Sequence, residues 1–264
     1  MGGLIRILII GAESLNHGVR MVDALQELDE KLALESTFIR ELTSLFARIA
    51  KDLRIQYGTT GIVPDASIYR ADFEAALRKH YARVQTRFRG KVDPDKLLDD
   101  ELDVLFLEFR NSQAAIEAGF ITETNTRQLQ AAVSDARSML AAEDTFDIRS
   151  VALTAVVLFR RRYKPRIDTI ALTETQTAAE GAKHTEAGVS ARVKDRDGFK
   201  EWVTVGDDRV RPTHQRANGQ RRDIDVPFDV GQSQMQFPTD NSLGARIEER
   251  INCRCSADYQ FRGR

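Results

Sequence analysis

The sequence predicts an α+β protein in which a mostly helical N-terminal region precedes a small, loop-rich C-terminal domain. Apolar residues recur at helical spacing through most of residues 19–190. After residue 190, short alternating runs and clustered turn-forming residues replace that pattern. A chain of 264 residues is long enough for two such parts. We therefore predict a helical region at 1–190 and an α+β domain at 191–264.

The first predicted helix spans residues 20–56 and carries a heptad-like apolar stripe. Its apolar positions alternate in steps of four and three, and only Glu35 interrupts the series. This repeat keeps one apolar stripe along a long helix and is typical of packing in a bundle or coiled coil, so we predict that it packs against a partner. The stripe consists of Leu25, Leu28, Leu32, Ile39, Leu42, Phe46, Ile49 and Leu53.

Five further helices are predicted, at 67–89, 93–119, 122–140, 146–162 and 167–190. The helix at 93–119 should begin with Asp93 as its N-cap and Pro94 at its first helical position. The polar run TETNT at 122–126 offers N-cap residues and therefore predicts a new helix there. Together these segments predict a helical bundle.

The N-terminal segment, the net charge and the cysteine count bear on the location and the partners of the chain. The apolar run at 4–10 is too short to span a bilayer and lacks a preceding basic segment, so we expect a buried strand or a docking arm and no membrane. The formal net charge of −1 predicts no strong bulk attraction to nucleic acid. Two cysteines are too few for a disulfide framework, which favours a reducing, cytosolic origin.

The region after residue 190 predicts a compact module of about 70 residues. A strand is expected at 202–205, a short helix at 243–250 and a final strand at 255–261. A core of this size is marginal, so an internal staple such as a metal, a charged network or docking on the helices would stabilise it.

Polar residues that could form such a staple are Asp207, His214, Cys253 and Cys255. Cys253 and Cys255 are two apart in an extended segment and should share a face. One interpretation is a zinc site of His214 and both cysteines, completed by Asp207 or a water. The interpretation that the sequence favours is a hydrogen-bonded, ion-paired core with buried thiols, in which Asp207 accepts from Arg209 or His214. A disulfide ranks last, because neighbouring extended cysteines direct their side chains poorly.

Catalysis is not predicted. The sequence has no phosphate-binding loop, HExxH, GxSxG or dinucleotide-binding fingerprint, and no oxyanion-hole loop adjoins either cysteine for a Cys-His hydrolase. We therefore predict a protein that is not an enzyme and that needs no cofactor, with zinc as the one candidate.

An ordered string of motifs in the C-terminal half resembles the C-terminal domain of phage Mu F-like minor head proteins, a family of phage head morphogenesis proteins. The string includes KEWVTVGDDRVRPTHQRANGQ, VPF and FPTDNSLGARIEERINCRC, and the upstream ALTETQTAAEGA and GFITETNTRQLQAAV are also similar. Asn218 departs from the pattern, since many relatives have an acidic residue before the glycine. The matching positions in the last domain are Trp202, Asp207, Arg209, Val210, Arg211, His214, Gly219, Pro227, Phe228, Asn252, Cys253, Arg254 and Cys255.

The resemblance implies a minor virion protein that binds the portal at one vertex during head assembly and influences DNA packaging or ejection. Its expected partners are the portal protein, the major capsid or scaffold protein, and phage DNA. Its expected location is the host cytoplasm during assembly and then the capsid interior or portal vertex. A DNA-binding module is the alternative function, and a metal-dependent hydrolase ranks third. Nucleic-acid contacts would come from Arg209, Arg211, Arg216, Arg221, Arg222 and Arg254.

Overall fold

The structure, a computed structural model, describes residues 14–95, 98–141 and 147–262 and confirms the α+β class. The apolar segment at 4–10 lies outside the described residues. Within the described residues, long helices make up most of the chain from Ser14 to Val193, and five short strands follow. None of the helices in the described ranges carries an apolar stretch that would span a bilayer. The division into domains at 190/191 stays a prediction.

Four long helices form the N-terminal part: α1 (Ser14–Asp52), α3 (Arg70–Phe88), α4 (Asp99–Leu140) and α5 (Ile148–Val193). A π-helical turn, Leu53–Tyr57, and the short α2, Gly58–Thr60, extend α1, and a 3-10 turn, Ala66–Tyr69, leads into α3. The carboxylate of Asp147 caps α5 by accepting from the backbone N–H of Ser150 at 2.7 Å.

Two predicted helix breaks and one predicted helix start were wrong. α4 begins at Asp99 and not at 93, because the Asp93 carboxylate accepts from the side chains of Ser190, Lys194 and Arg196 instead of capping the helix. α4 continues through 119–122, because the Thr122 hydroxyl donates to the Ala118 carbonyl at 2.8 Å inside the helix instead of capping a new one. α5 likewise runs unbroken through 162–167 and contains Pro165. A proline in a helix interior costs about 3 kcal/mol. Burial of Tyr163 and Ile167 on either side of it offsets that cost.

The apolar stripe of α1 divides into two parts. Its second half is buried in the chain's own core between α3 and α5, where the Phe46 ring lies 5.5 Å from that of Phe73 and 5.1 Å from that of Tyr163. Its first half is exposed, at 37% for Leu28 and 48% for Leu32. The prediction that the whole stripe faces a partner was therefore wrong for the buried half, Leu42, Phe46, Ile49 and Leu53. Ile39 is partly buried against the core, and the side chain of Leu25 lies outside the described residues.

The C-terminal part contains two small antiparallel sheets. Strands β1 (Gly198–Val203), β2 (Arg221–Asp223) and β5 (Ser256–Phe261) pair in the order β2-β1-β5, and β3 (Phe228–Val230) pairs with β4 (Ser233–Met235). Two short helices, α6 (Pro212–Ala217) and α7 (Ile247–Arg250), complete it. The predicted strand at 202–205 was placed too late. The Asn218 side chain accepts the Thr204 N–H at 2.9 Å, which takes that group out of the ladder.

A second apolar cluster lies beneath these strands, around the fully buried indole of Trp202. That ring meets Phe228 edge-on at 5.3 Å and His214 edge-on at 5.5 Å. Both cysteines belong to this cluster. The small core therefore encloses three of the four polar residues that the sequence predicts as a staple, His214, Cys253 and Cys255.

Candidate functional site

The structure brings His214, Cys253 and Cys255 together in the interior. Nδ1 of His214 lies 3.3 Å from Sγ of Cys255 and 3.6 Å from Sγ of Cys253. All three ligand atoms lie within 4.8 Å of one another, and all three residues are buried. We call this trio the Cys-His cluster.

Local structure explains how distant residues meet in the Cys-His cluster. Pro212 occupies the first turn of α6, where its missing N–H leaves no bond unmade, and His214 follows on that turn. After α7 the chain turns at Asn252, whose φ of 57° is a left-handed conformation that asparagine tolerates. Cys253 and Cys255 then enter the interior from the segment that leads into β5.

The contact between the two thiols shifts their pKa values in opposite directions. The hydrogen bond that Cys255 donates lowers the pKa of Cys253, against the opposing effect of burial, and His214 lowers it further. The same bond, together with burial, raises the pKa of Cys255. The two cysteines are buried and are not joined in a disulfide.

Glu249 belongs to the same site and was missed at the sequence level. Its Oε2 lies 3.1 Å from Nε2 of His214 and accepts from the Thr213 hydroxyl at 2.8 Å. The sequence shows two adjacent acids before the cysteines, and nothing in it says which one faces inward. The other, Glu248, is exposed and pairs with Arg246 at 2.5 Å.

Asp207 does not join the Cys-His cluster. Its carboxylate accepts from Arg254 at 2.8 Å and from the backbone N–H of Arg209 at 3.1 Å. This contact with Arg209 was expected, whereas a contact with His214 is not made. As a fourth metal ligand, Asp207 would have to leave Arg254.

Four of the six candidate nucleic-acid-binding arginines are held by acceptors of the chain itself. Arg211 donates to the Ile251 carbonyl and Arg254 to Asp207. On β2, Arg221 pairs with Glu201 at 2.8 Å and Arg222 with Asp229 at 3.0 Å. Arg209 is exposed and lies 3.5 Å from Asp207, and Arg216 is exposed on α6.

The segment that carries the cysteines lies on one face of α5. Thr173, Gln176 and Glu180 are spaced by three and four, so they share that face. Their side chains bond the backbone of the segment. The Thr173 hydroxyl accepts from the Asn252 N–H at 3.1 Å, Gln176 donates to the Cys255 carbonyl, and Glu180 accepts from the Ala257 N–H at 2.9 Å.

Glu180 also belongs to a cluster of ion pairs between α1 and α5, together with Glu27, Lys31 and Lys183. Its carboxylate is fully buried and lies 3.0 Å from Nζ of Lys31 and 2.9 Å from Nζ of Lys183. Glu27 contacts the same two ammonium groups, at 2.6 Å and 3.0 Å. Burial alone would raise the pKa of Glu27, but Lys183 and Lys31 outweigh it and hold that pKa well below its usual range.

A second buried ion pair fastens α7 to α4. Arg250 donates to Glu117 at 2.9 Å and to the Thr239 carbonyl at 3.1 Å. Gln113, one turn earlier on α4, donates to the same carboxylate at 3.1 Å. The module is therefore attached to two long helices through buried polar groups.

The polar-stapled α+β module and the two long helices that hold it, α4 and α5, lie largely within the part of the chain that matches a known family. A family model described as "Phage Mu protein F like protein" matches residues 111–258. The chain belongs to this phage Mu F-like family of head morphogenesis proteins, which confirms the resemblance carried by its motifs. No curated protein and no solved structure matches the chain.

Proposed function

We propose that this chain is a minor head protein that binds the portal vertex during head assembly and is retained in the virion. One observation carries the proposal. The family match at 111–258 covers most of α4, all of α5 and the module, and those parts are joined by buried polar contacts. Side chains used in this way hold a fixed shape, which is what a structural component of an assembly requires.

The chemistry of the Cys-His cluster supports a structural role over a hydrolytic one at that place. The cavity beside it has a volume of about 10 Å³. That is room for about one water molecule, too little for a peptide bond or a nucleotide with its flanking groups. The lining residues outside the cluster are Val205, Arg209, Val210, Arg211, Asn252 and Arg254.

The exposed half of the α1 stripe supports a partner surface. Leu28 and Leu32 lie one turn apart on the same side of α1 and remain accessible. The two side chains give this side of α1 a small apolar surface that a partner would cover. We place the portal contact on this side of α1.

Co-expression with the portal protein of the same phage tests the proposal. The two proteins should elute as one complex in size-exclusion chromatography, and heads assembled without this chain should retain or eject DNA abnormally. Failure to associate, together with normal ejection from heads that lack the chain, would refute the assignment.

A pair of matched variants tests the contact surface. Leu28→Glu with Leu32→Glu should abolish the complex while the helical content stays unchanged. The control is Leu153→Glu with Val157→Glu, which alters an equally spaced exposed apolar pair on α5. If the control disrupts the complex and the α1 pair does not, the surface is assigned wrongly.

DNA binding remains the second expectation from the sequence. The pairing of Arg211, Arg221, Arg222 and Arg254 within the chain weakens it, because paired guanidinium groups would have to exchange partners to reach phosphate. Gel retardation of duplex DNA at low salt, lost as salt rises, would support it over a purely protein-binding role.

A further inference from the structure

We propose that the Cys-His cluster is a zinc site in which Nδ1 of His214 and the Sγ atoms of Cys253 and Cys255 are the protein ligands. This inference goes beyond the head-assembly function, since it concerns what holds the C-terminal module together. It rests on the distances between the three ligand atoms, on the hydrogen bond between Glu249 and the His214 ring, and on the balance of charge between zinc and its ligands.

The distances between the ligand atoms fit tetrahedral zinc. Zinc–nitrogen bonds of about 2.0–2.1 Å and zinc–sulfur bonds of about 2.3 Å, at a tetrahedral angle, place nitrogen and sulfur about 3.6 Å apart. The two Nδ1–Sγ distances are 3.3 Å and 3.6 Å. Both distances are within a few tenths of an ångström of that value, and the two Sγ atoms lie within 4.8 Å of each other, so an ion fits between the three atoms after a local adjustment.

The orientation of the His214 ring is the one that a metal ligand needs. Nδ1 faces both sulfurs, and Nε2 faces the Glu249 carboxylate at 3.1 Å. A metal-bound histidine characteristically donates its other ring N–H to a carboxylate, which fixes the tautomer and the ring plane. Glu249 is thus a positioning residue, itself held by the Thr213 hydroxyl.

The charge of the site balances when zinc is bound. Two thiolates neutralise Zn²⁺, so the ion leaves no net charge in the buried cluster, and the neutral imidazole adds none. The thiols must release their protons for this, and zinc binding releases them to solvent. Arg211 and Arg254, which are paired with the Ile251 carbonyl and with Asp207, line the adjoining cavity.

The fourth position is filled by water. The adjoining cavity of about 10 Å³ holds about one water molecule. Asp207, the acidic side chain that the sequence offers as a ligand, is bonded to Arg254 at 2.8 Å instead. Three protein ligands and one water is the coordination typical of catalytic zinc sites, but the adjoining cavity holds no group larger than that water, so we assign the ion the role of a staple for a module whose core is small.

Metal analysis of the full-length chain tests the site. Protein purified in reducing buffer should contain about one zinc ion per chain. After chelation, titration with Co²⁺ should produce a tetrahedral absorption spectrum with a thiolate charge-transfer band. Folded protein with less than about one-tenth of an equivalent of metal and no tetrahedral Co²⁺ spectrum would overturn the proposal.

Variants assign the ligands and separate binding from folding. Cys253→Ser should remove the charge-transfer band and most of the zinc, while His184→Gln, a histidine of α5 outside the cluster, should retain both. Glu249→Gln keeps the three ligands and should weaken zinc affinity about 10- to 100-fold with the same Co²⁺ spectrum. Full zinc content in Cys253→Ser, or an unchanged affinity in Glu249→Gln, would contradict the assigned roles. Because the Co²⁺ titration uses the wild-type chain, it tests the site even if a variant fails to fold.

Discussion

Glu180→Gln tests whether the buried ion cluster fastens the module and α1 to α5. The substitution removes one of two carboxylates that balance Lys31 and Lys183, and it leaves the cluster with one uncompensated positive charge. Removing one partner of a buried ion pair costs about 3–5 kcal/mol. Glu27 stays within 3.0 Å of both lysines and offsets part of that cost. We therefore expect a loss near the lower limit, about 3 kcal/mol.

Urea denaturation followed by circular dichroism measures this loss. The control is Glu248→Gln on α7, which breaks an exposed ion pair and should leave the stability close to that of the wild type. The double variant Glu180→Gln with Lys183→Gln restores the charge balance and should be more stable than the sum of the two single variants predicts.

Two results would refute this reasoning. One is a Glu180→Gln variant within about 0.5 kcal/mol of the wild type, the range of an ordinary surface substitution. The other is strict additivity in the double-variant cycle, which would mean that Glu180 and Lys183 do not act on each other.

Three further predictions concern the helices. Gly181→Ala should destabilise the fold by about 1–3 kcal/mol, because the new Cβ would lie 2.9 Å from the ring of Phe109. The control is Gly188→Ala in the same helix, whose Cβ meets nothing within 4 Å and which should be neutral or stabilising by up to about 1 kcal/mol. Thermal denaturation compares the two variants. Burial, with the nearby Glu117 carboxylate, raises the pKa of Glu174 from 4.5 to about 8, so the folded state retains a proton that the unfolded state loses, and stability falls as pH rises between these values. Glu174→Gln should therefore be more stable than the wild type at pH 8 by at least about 1 kcal/mol and show no such gain at pH 4. An equal gain at both pH values would contradict this. Burial lowers the pKa of His80 from 6.5 to about 3, so below pH 6.5 the unfolded state takes up a proton that the folded state does not. In the Glu174→Gln background, stability measured by urea denaturation should therefore fall as pH drops from 6.5 toward 4. A flat profile over this range would count against the prediction.

The sequence predicted the helical region because apolar spacing is a direct consequence of helix geometry. It misplaced two helix breaks and the start of α4 because local signals competed with tertiary packing. The TETNT run at 122–126 offers cap residues, but Thr122 bonds within α4, and Pro165 is tolerated because Tyr163 and Ile167 on either side of it are buried. It could not separate the internal half of the α1 stripe from the exposed half, since the heptad spacing is the same in both.

For the candidate site, the sequence supplied the ligand types but not their surroundings. His214, Cys253 and Cys255 stand out because of their chemistry, and the structure brings them together. Glu249 could not be distinguished from Glu248, because a four-residue helix shows too little periodicity to tell its inner face. The contacts of Thr173 and Gln176 with the cysteine segment depend on residues 79 positions apart and have no local signal.

Quantitative mass spectrometry of purified heads, from a phage that carries the portal gene and from one that lacks it, tests the central claim most directly. Portal binding predicts that this chain is present in heads with a portal, at a fixed ratio to the portal protein, and absent from portal-less heads. Equal amounts of the chain in both kinds of head, or none in either, would contradict the account.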